Sequence, residues 1–373
     1  MKAPSPMATL DCFLIADDLA GACDAAVHFA MRGRRTTVPI APGAELVDST
    51  VIAISTDSRE LEPAAARHVI SAAANLPIGS PSILFKKIDS TLRGHSGVEI
   101  VAALTAFGCD AAVVCPAFPR MNRIVEAGYL RVAGATDFAP IEVASHLRAQ
   151  GVKGCAHIGR EGISEAISAG ARIVVLDAVC DDDLDRIVAA ALALDLRLLW
   201  AGSAGLASAL ARTLPVGPQF GPRPAPTGPV LFCIGSNHRV TVGQQSALVG
   251  QRRALLVHAG LTNTECIEAA LGRGQHVVLR VPRGQVSTEW LKKLVAGASA
   301  SALVLSGGDT ALLLCRAVGV QRIDLLAEII PGVPRGVIRG GEFDGISVAT
   351  KSGGFGDPDA LIQVADYFTC LNQ

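Results

Sequence analysis

Short aliphatic runs alternate with segments of helical character in the first part of the chain, and this alternation limits the fold more than any other feature. Half of all residues are hydrophobic but only 4% are aromatic, so the apolar content is mainly Ala, Val, Leu and Ile. Strands buried on both faces of a parallel sheet have this aliphatic character, and their alternation with helices predicts a doubly wound α/β fold. Ser96 and Glu99 have the capping-box spacing that starts a helix. The runs that predict strands are 11–16, 49–55, 82–85 and 110–118.

A stretch rich in Pro and Gly divides the chain in two. Residues 215–230 read PVGPQFGPRPAPTGPV, almost without charge, which is typical of a linker. A chain of 373 residues is also too long for one ordinary core. We therefore predict a first domain at 1–214, a linker at 215–229 and a second domain at 230–373. Each domain is expected to be a mainly parallel sheet flanked by helices, with a ligand cleft between the two.

Charged residues follow each of the first four predicted strands. In open α/β sheets, ligands bind outside the carboxyl ends of the strands. The densest group is KKIDSTLRG at 86–94, which lies between apolar segments that look buried. The pattern predicts a polar ligand site in the first domain. The charged residues at these strand ends are Asp17, Asp18, Asp57, Arg59, Lys86, Lys87, Asp89, Arg93, Arg120 and Arg123.

The residue types at these strand ends fit more than one role. Asp17 and Asp18 suit either a helix cap or a general base and anchor for a substrate hydroxyl. The sequence does not say which of the two would be the base. Arg59 and Arg93 suit either the surface or a fork that holds a substrate carboxylate.

Two adjacent lysines precede the hydroxyl-rich segment. Successive side chains of an extended segment point to opposite faces, so only one of Lys86 and Lys87 is expected at the site. Lys87, on the same side as Asp89, is our choice. Asp89 and Ser90 supply acceptors and a hydroxyl suited to a polyol.

Three stretches of the second domain share one predicted structural feature, a glycine turn that leads into a helix. Glycine lets the backbone approach a ligand closely, and a helix start offers unpaired N–H groups with a partial positive charge. Such turns bind phosphate without a basic surface. Ser236 and Thr310 add hydroxyl donors, and Lys351 is a candidate point charge. The stretches are GSN at 235–237, SGGDT at 306–310 and KSGGFG at 351–356.

Several classes of protein and site are disfavoured. Neither the P-loop motif nor the dinucleotide fingerprint occurs after a strand. A net charge of −1 gives no general attraction to nucleic acid or to membranes. Ten cysteines without a C-x-x-C pair and eight dispersed histidines give no zinc spacing. No run is apolar enough for a membrane span or a secretion signal, so we expect a cytoplasmic protein with reduced cysteines.

A domain that binds phosphate, joined to a domain that binds a polyol acid, favours a kinase. Phosphoryl transfer depends mainly on positioning and charge neutralisation, so few covalent participants are expected. Two alternatives stay open: a non-catalytic sensor of an acid sugar and nucleotide, and an NAD(P)-dependent oxidoreductase of similar architecture. The missing dinucleotide fingerprint argues against the oxidoreductase.

Taken in order, the motifs resemble the four-carbon acid sugar kinase family, once known only as a domain of unknown function. The likeness spans roughly residues 12–368, and KKIDSTLRG is its most specific element. The family usually has Glu where Asp309 stands and a longer segment after Tyr129. The motifs are IADDLAGACDAAVHFA, TDSRE, KKIDSTLRG, CPAFPRMNR, the Gly-Ser pair after the first strand of the second domain, SGGDTA and KSGGFG.

The resemblance implies that the first domain binds a four-carbon sugar acid and that the second binds ATP. The 4-hydroxyl of an acid of the D-threonate, D-erythronate or 3-oxo-tetronate type would be phosphorylated, in carbohydrate catabolism, with Mg²⁺ as the metal. The implied substrate contacts are Asp17, Arg59, Lys87, Asp89, Ser90 and Arg93, and we expect Asp17 and Asp18 to be catalytic. The implied ATP contacts are Ser236, Gly307, Gly308, Asp309, Thr310, Gly353 and Gly354.

The expected partners are therefore a small sugar acid and ATP, with no nucleic acid and no membrane. The sequence does not specify which acid or stereoisomer is bound, and it does not identify the metal ligands. It also leaves open whether the chain forms a homo-oligomer.

Overall fold

The computed structural model describes most of the chain, and contacts divide it into two compact units. The first unit is Met1–Arg35 with Asp48–Gly217, and the second is Thr36–Val47 with Pro218–Gln373. The described residues are 10–41, 43–44, 46, 48–76, 78–135, 138–159, 162–218, 227–282, 287–297 and 299–369.

The first unit is built on a parallel sheet, as the alternation of aliphatic runs predicted. Its strand order is β3-β1-β4-β11-β5-β10-β9, and each neighbouring pair is parallel. The strands are β1 Cys12–Ala16, β3 Val51–Ser55, β4 Ile83–Lys87, β5 Ala111–Cys115, β9 Cys155–His157, β10 Ile173–Val175 and β11 Leu198–Gly202.

Helices on the first unit fall into two packed groups. Helices α1, α6 and α7 contact one another, whereas α2, α3 and α4 form the other group. The helices are α1 Leu19–Ala30, α2 Pro63–Ala74, α3 Ser96–Ala106, α4 Val143–Ala149, α5 Ile163–Ser168, α6 Asp181–Leu192 and α7 Ala204–Thr213. A small antiparallel sheet is made of β6 Arg123–Glu126, β7 Tyr129–Val132 and β8 Ile141–Glu142.

The second unit has a mixed sheet in the order β13-β14-β12-β15-β18-β17-β16-β2. The strands from β13 to β18 in this order are parallel, and the remaining pairs are antiparallel. The strands are β2 Thr36–Pro39, β12 Val230–Ile234, β13 Leu255–His258, β14 Val277–Arg280, β15 Ala302–Ser306, β16 Arg322–Ile330, β17 Val333–Arg339 and β18 Ser347–Lys351. The helices are α8 Arg239–Arg252, α9 Thr264–Gly272, α10 Thr288–Gly297, α11 Gly308–Ala317 and α12 Ala360–Thr369.

The second unit includes a segment from early in the sequence. Strand β2 pairs with β16 through Thr36–Pro39, and its Thr36, Thr37 and Val38 are buried. The division by contacts therefore differs from a simple boundary after residue 214. The burial of β2 side chains against β16 is the physical reason, and no local pattern near residue 36 signals it.

Much of the predicted linker lies outside the described residues, at 219–226. Its beginning is attached to the first unit, because Gly217 N donates to Arg32 O at 2.8 Å and the Arg32 guanidinium donates to Leu214 O at 2.9 Å. Its end is attached to the second unit, where Gly228 N donates to Phe368 O at 3.0 Å. None of the helices in the described part of the chain is long and apolar enough to cross a bilayer.

We predict that Val38→Asp destabilises the second unit by at least about 3 kcal/mol, because a carboxylate would be buried without a partner. The chain has two tryptophans, Trp200 in β11 and Trp290 in α10. In a Trp200→Phe background, fluorescence during denaturant unfolding reports on the second unit through Trp290.

The matched control is Val242→Asp, because Val242 is 43% exposed on α8 of the same unit. It should leave the Trp290 transition nearly unchanged. The same variant made in a Trp290→Phe background reports on the first unit through Trp200; if Val38→Asp moved that transition and left the Trp290 transition in place, the placement of β2 would be contradicted.

Candidate functional site

The first cluster of predicted site residues lies at the carboxyl ends of three neighbouring strands. Strand β1 lies between β3 and β4, with Ala16 in register with Ser55 and with Lys87. The segments that follow these strands therefore begin side by side. They bring together Asp17, Asp18, Arg59, Lys87 and Asp89, all of which are buried except the partly exposed Arg59.

The Arg59 guanidinium is the centre of this cluster. Its Nε and one terminal nitrogen donate to the two Asp17 oxygens at 2.7 and 2.9 Å. The other terminal nitrogen donates to Asp18 Oδ2 at 2.5 Å. The terminal nitrogen that donates to Asp17 lies 3.7 Å from Asp89 Oδ1. Burial disfavours the charged guanidinium, but Asp18 and Asp17 outweigh it and raise the pKa of Arg59 above its usual value. Arg59 therefore forms its ion pairs with carboxylates of the protein itself.

Asp17 stays ionised in this setting. Burial on its own would raise the pKa of Asp17, but the Arg59 guanidinium and the Lys86 ammonium lower it overall. Asp18 also caps helix α1, since its Oδ1 accepts from Gly21 N at 2.6 Å. The capping role considered for this pair is thus real for Asp18, and it coexists with the contact to Arg59.

Asp89 organises the loop that follows β4. Its Oδ2 accepts from Thr91 N at 3.0 Å and from Arg93 Nε at 3.0 Å, and its Oδ1 accepts from Arg93 at 2.6 Å. Burial opposes ionisation, but Arg93 lowers the pKa of Asp89 far below its usual range. Leu92, inside this loop, has a left-handed φ of 59°, which is uncommon for a branched side chain. The Asp89 carboxylate holds the strained loop in place, with Ser90 buried inside it.

Lys86 and Lys87 face opposite sides of the sheet, as alternation along a strand requires. Lys86 Nζ lies 2.8 Å from Glu99 Oε2, on helix α3. Lys87 Nζ donates to Ile88 O at 2.9 Å and lies near Gly21 on helix α1, the helix that Asp18 caps. Within the described ranges no carboxylate pairs with Lys87, although it is only 4% exposed. Lys87 is therefore the buried cation of the cluster that has spare donors for an anion.

A network that sequence reasoning missed supports the cluster from the α3 side. Glu99 Oε1 accepts from Ser58 Oγ at 2.5 Å, and Ser58 Oγ lies 2.8 Å from Thr56 Oγ1. Thr56 in turn donates to Ala16 O at 2.9 Å. The expected capping box is wrong, because the N-cap of α3 is His95 without a side-chain cap and Glu99 turns to Lys86 instead. A glutamate in the helix after a Lys-Lys pair was the available signal.

We predict that Glu99→Gln lowers the free energy of unfolding of the first unit by about 3 kcal/mol, because Lys86 would be buried without its partner. The measurement is denaturant unfolding followed by Trp200 fluorescence in a Trp290→Phe background. Glu60→Gln is the control, since Glu60 is exposed.

The double variant Lys86→Met with Glu99→Gln should recover part of the loss, because it removes the unpaired charge. If Glu99→Gln and Glu60→Gln had the same free energy of unfolding, the network would not contribute to the stability of the first unit.

A second cluster lies in the other unit, at the carboxyl ends of neighbouring strands β12, β15 and β18. A Cβ on Gly235 would lie 1.7 Å from Thr310 Oγ1, and one on Gly353 would lie 2.2 Å from Ser236 Oγ. Neither position has room for a side chain. The three predicted glycine turns therefore lie against one another.

The middle turn has the backbone geometry that only glycine adopts easily. Gly307 has φ 102° and is the N-cap of α11, so Gly308, Asp309 and Thr310 form the first turn of that helix. Thr310 is buried and Asp309 is partly exposed. A helix N-terminus of this kind suits an anionic group.

The third turn is held from inside the unit by Lys351 and two polar residues of α8. Lys351 Nζ donates to Ser352 O and Phe355 O, both at 2.9 Å. Thr241 donates to Gly353 O at 2.6 Å, and Gln244 Nε2 donates to the carbonyls of residues 355, 356 and 357. Lys351 is 0% exposed. Its ammonium therefore holds the loop from inside the unit. This corrects its expected role as a point charge at the phosphates.

We predict that Lys351 makes the stability of the second unit depend on pH. Burial lowers the pKa of Lys351 to about 7, whereas an unfolded lysine has a pKa of about 10.4. Between these values the unfolded chain binds the extra proton, so the free energy of unfolding rises with pH over this window.

Denaturant midpoints from pH 7 to 10, read through Trp290, should show this rise. Lys351→Met should remove it, while Lys293→Met, at an exposed lysine paired with Glu265, should keep it. An identical pH profile in Lys351→Met and in the unsubstituted chain would contradict the prediction.

Comparisons with known proteins match both units. A family model described as a sugar-binding N-terminal domain matches residues 12–210, and one described as a nucleotide-binding C-terminal domain matches residues 237–361. The D-threonate kinase of Bordetella bronchiseptica is 34% identical over 94% of this chain and 96% of its own. The chain belongs to the four-carbon acid sugar kinase family.

Two further relatives of the family carry other substrate names. The D-erythronate kinase of Heliobacterium modesticaldum is 30% identical over 95% of this chain and 96% of its own. The 3-oxo-tetronate kinase of Cupriavidus necator is 30% identical over 92% of this chain and 94% of its own. The family membership predicted from the motifs is therefore confirmed.

Two residues at the glycine turns of this family member escaped sequence reasoning. Arg280, the last residue of β14, donates to Ser236 O at 2.9 Å and to Asn237 Oδ1 at 2.5 Å. Ser306, the last residue of β15, is fully buried and its hydroxyl has no partner in the described part of the chain. A cation after an aliphatic run was the signal for Arg280, whereas Ser306 begins the SGGDT stretch but was not among the expected contacts.

The family's expected metal has no preformed cage here. Among the residues that the structure describes, no three His, Cys, Asp or Glu side chains form a metal-binding group. Mg²⁺ bound to a nucleotide usually keeps several waters and uses one or two carboxylates plus phosphate oxygens. Asp309, in the first turn of α11, is a carboxylate of the right kind at the glycine turns, so the residues present fit a metal that arrives with the nucleotide.

Proposed function

We propose that this protein is an ATP-dependent kinase that phosphorylates the 4-hydroxyl of a four-carbon sugar acid of the D-threonate, D-erythronate or 3-oxo-tetronate type. The observation that carries the proposal is the meeting of three glycine turns in the second unit, with no room for a side chain at Gly235 or Gly353. The first unit adds a buried cluster of carboxylates and cations suited to a polyol acid. The names of the curated relatives support the same reaction.

The charges of the first unit suggest how an acid substrate would bind. Arg59 already contacts Asp17 and Asp18, so it orders these carboxylates rather than the substrate. Lys87 pairs with no carboxylate in the described chain, and the Arg93 side chain is 59% exposed. We therefore assign the substrate carboxylate to Lys87 and Arg93, and the substrate hydroxyls to the oxygens of Asp17, Asp18 and Ser90.

The reaction is a direct phosphoryl transfer. The 4-hydroxyl oxygen forms a bond to the γ-phosphorus, the bond from that phosphorus to the β,γ-bridging oxygen breaks, and ADP leaves with the electron pair. The hydroxyl proton passes to the Asp17/Asp18 pair or through it to water. Direct transfer requires the 4-hydroxyl oxygen of the acid to reach the γ-phosphorus of ATP.

The second unit would neutralise the triphosphate. Ser236, Gly307, Gly308, Thr310, Gly353 and Gly354 would supply backbone and hydroxyl donors, as the family resemblance implies. We propose Mg²⁺ as the metal, held by phosphate oxygens and Asp309. When bound, the metal would neutralise charge on the β- and γ-phosphates.

The two alternatives receive less support. An NAD(P)-dependent oxidoreductase is disfavoured by the missing dinucleotide fingerprint, and the relatives reported above are named as kinases. A non-catalytic sensor would use the same two sites, so only turnover separates it from a kinase. We also keep the cytoplasmic location as a proposal, consistent with free thiols at every cysteine that the structure describes.

We predict ADP formation from ATP with at least one four-carbon acid in a panel of D-threonate, D-erythronate and 3-oxo-tetronates. Asp17→Asn and Asp18→Asn should each lower kcat at least about a hundredfold, because they remove a proton acceptor or its ordering partner. Affinity for ATP, measured by calorimetry, should not change. A coupled ADP assay gives the rates.

Asp185→Asn is the matched control, because Asp185 is an exposed aspartate of the same unit paired with Arg212. It should keep full activity. ATP binding without turnover on any acid of the panel would favour the sensor and overturn the kinase.

A further inference from the structure

Arg280 stands out in the second unit because it is a cation beside the glycine turns without a carboxylate partner. It ends β14, the strand next to β12, and its side chain is partly buried. Its two hydrogen bonds go to the Ser236 carbonyl and the Asn237 side chain. No carboxylate in the described part of the chain forms an ion pair with it. Burial lowers the pKa of Arg280 from its usual value, and no acidic neighbour offsets this.

Three other arginines of the same unit contact carboxylates. Arg252 lies 2.7 Å from Asp366, and both Arg322 and Arg339 contact Asp324. Arg280 is instead partly buried without such a partner. A negatively charged ligand would supply the ion-pair partner that Arg280 does not have in the described part of the chain.

The position of Arg280 makes that ligand a phosphate chain. Its guanidinium holds the Gly235–Ser236–Asn237 turn, the same turn whose Ser236 hydroxyl touches the space beside Gly353. A guanidinium has five N–H donors, and the two bonds above leave three for a ligand. Its planar fork matches phosphate oxygens in pairs.

We propose that Arg280 binds the phosphate chain of the nucleotide and supplies the positive charge that the glycine turns lack. Asn237 holds the guanidinium toward Ser236, and the backbone amides of the turns bind the remaining phosphate oxygens. The residue takes the electrostatic role that a lysine has in a P-loop, a motif absent from this chain. Lys351 cannot take this role, since its ammonium is buried against loop carbonyls. The inference rests on the proposed nucleotide-dependent function.

The test compares Arg280→Gln, Arg280→Lys and the control Arg252→Gln, which removes a surface arginine of α8 in the same unit. Calorimetry measures affinity for ATP, ADP and adenosine. In Arg280→Gln, affinity for ATP should fall at least about tenfold, because a charge-assisted fork is lost, while affinity for adenosine stays unchanged. Arg280→Lys should retain part of the ATP affinity, because it keeps the charge but loses the fork. Arg252→Gln should match the unsubstituted chain.

Kinetics give a second measurement. KM for ATP should rise in Arg280→Gln while KM for the sugar acid stays constant. Parallel losses for ATP and adenosine would show that Arg280 only shapes the turn, and unchanged ATP affinity would show that it binds no phosphate. Either result overturns the inference. Failure of the unsubstituted chain to bind or use ATP would instead overturn the proposed function.

Discussion

The contact of Arg59 with Asp17 and Asp18 is the interaction on which the first site depends. Three buried carboxylates near one another would ordinarily not all ionise, because like charges in a poorly solvated site raise one another's pKa. Arg59 lies between them and reaches Asp17 with two donors and Asp18 with a third. The carboxylates are therefore buried and held in place by Arg59 before any substrate arrives. Such preorganisation is what electrostatic catalysis requires.

The same interaction decides which cation is available to a ligand. Arg59 pairs with the protein's own carboxylates, and Lys86 pairs with Glu99. Lys87 has no carboxylate partner among the described residues, so it is the cation available to a ligand. Asp17, Asp18 and Asp89 are three carboxylates paired with two guanidinium groups, those of Arg59 and Arg93, so Lys87 is the third cation of the cluster and the one with donors left for a substrate carboxylate. Glu99, Ser58 and Thr56 link this cluster back to the Ala16 carbonyl at the end of β1, so the strand end and the charges behind it form one rigid support.

The second unit uses a different means to accommodate negative charge. It offers backbone groups at three glycine turns, and its buried lysine faces loop carbonyls rather than the turns' open side. Those carbonyls accept hydrogen bonds from Lys351, and the bonds keep the loop in one shape. Arg280 is left at the edge with unused donors. Carboxylate chemistry in one unit and amide chemistry in the other match an acid sugar and a nucleotide respectively.

Particular residues show how far sequence reasoning reaches. The strand ends carrying Asp17, Asp18, Arg59, Lys87 and Asp89 were found because aliphatic runs that alternate with helices locate parallel strands, and parallel strands end at one edge. The side of the sheet on which Lys87 lies also followed from alternation along β4. The partners of those charges did not follow, since Glu99 meets Lys86 across 13 residues of chain and Ser58 meets Glu99 across 41. The capping box failed for that reason, whereas the role of Lys351 failed because its side chain is fully buried and donates to the carbonyls of Ser352 and Phe355.

What the sequence by itself determined is local and periodic: the α/β class, the strand ends, the glycine turns and, through its motifs, the family. Only the tertiary structure decided which acid meets which base, that β2 belongs with β16, and that Arg280 lies beside Ser236. These contacts join segments distant along the chain. The physical reason is that pairing of buried charges and strand edges depends on distances in space, which no local pattern of residues encodes.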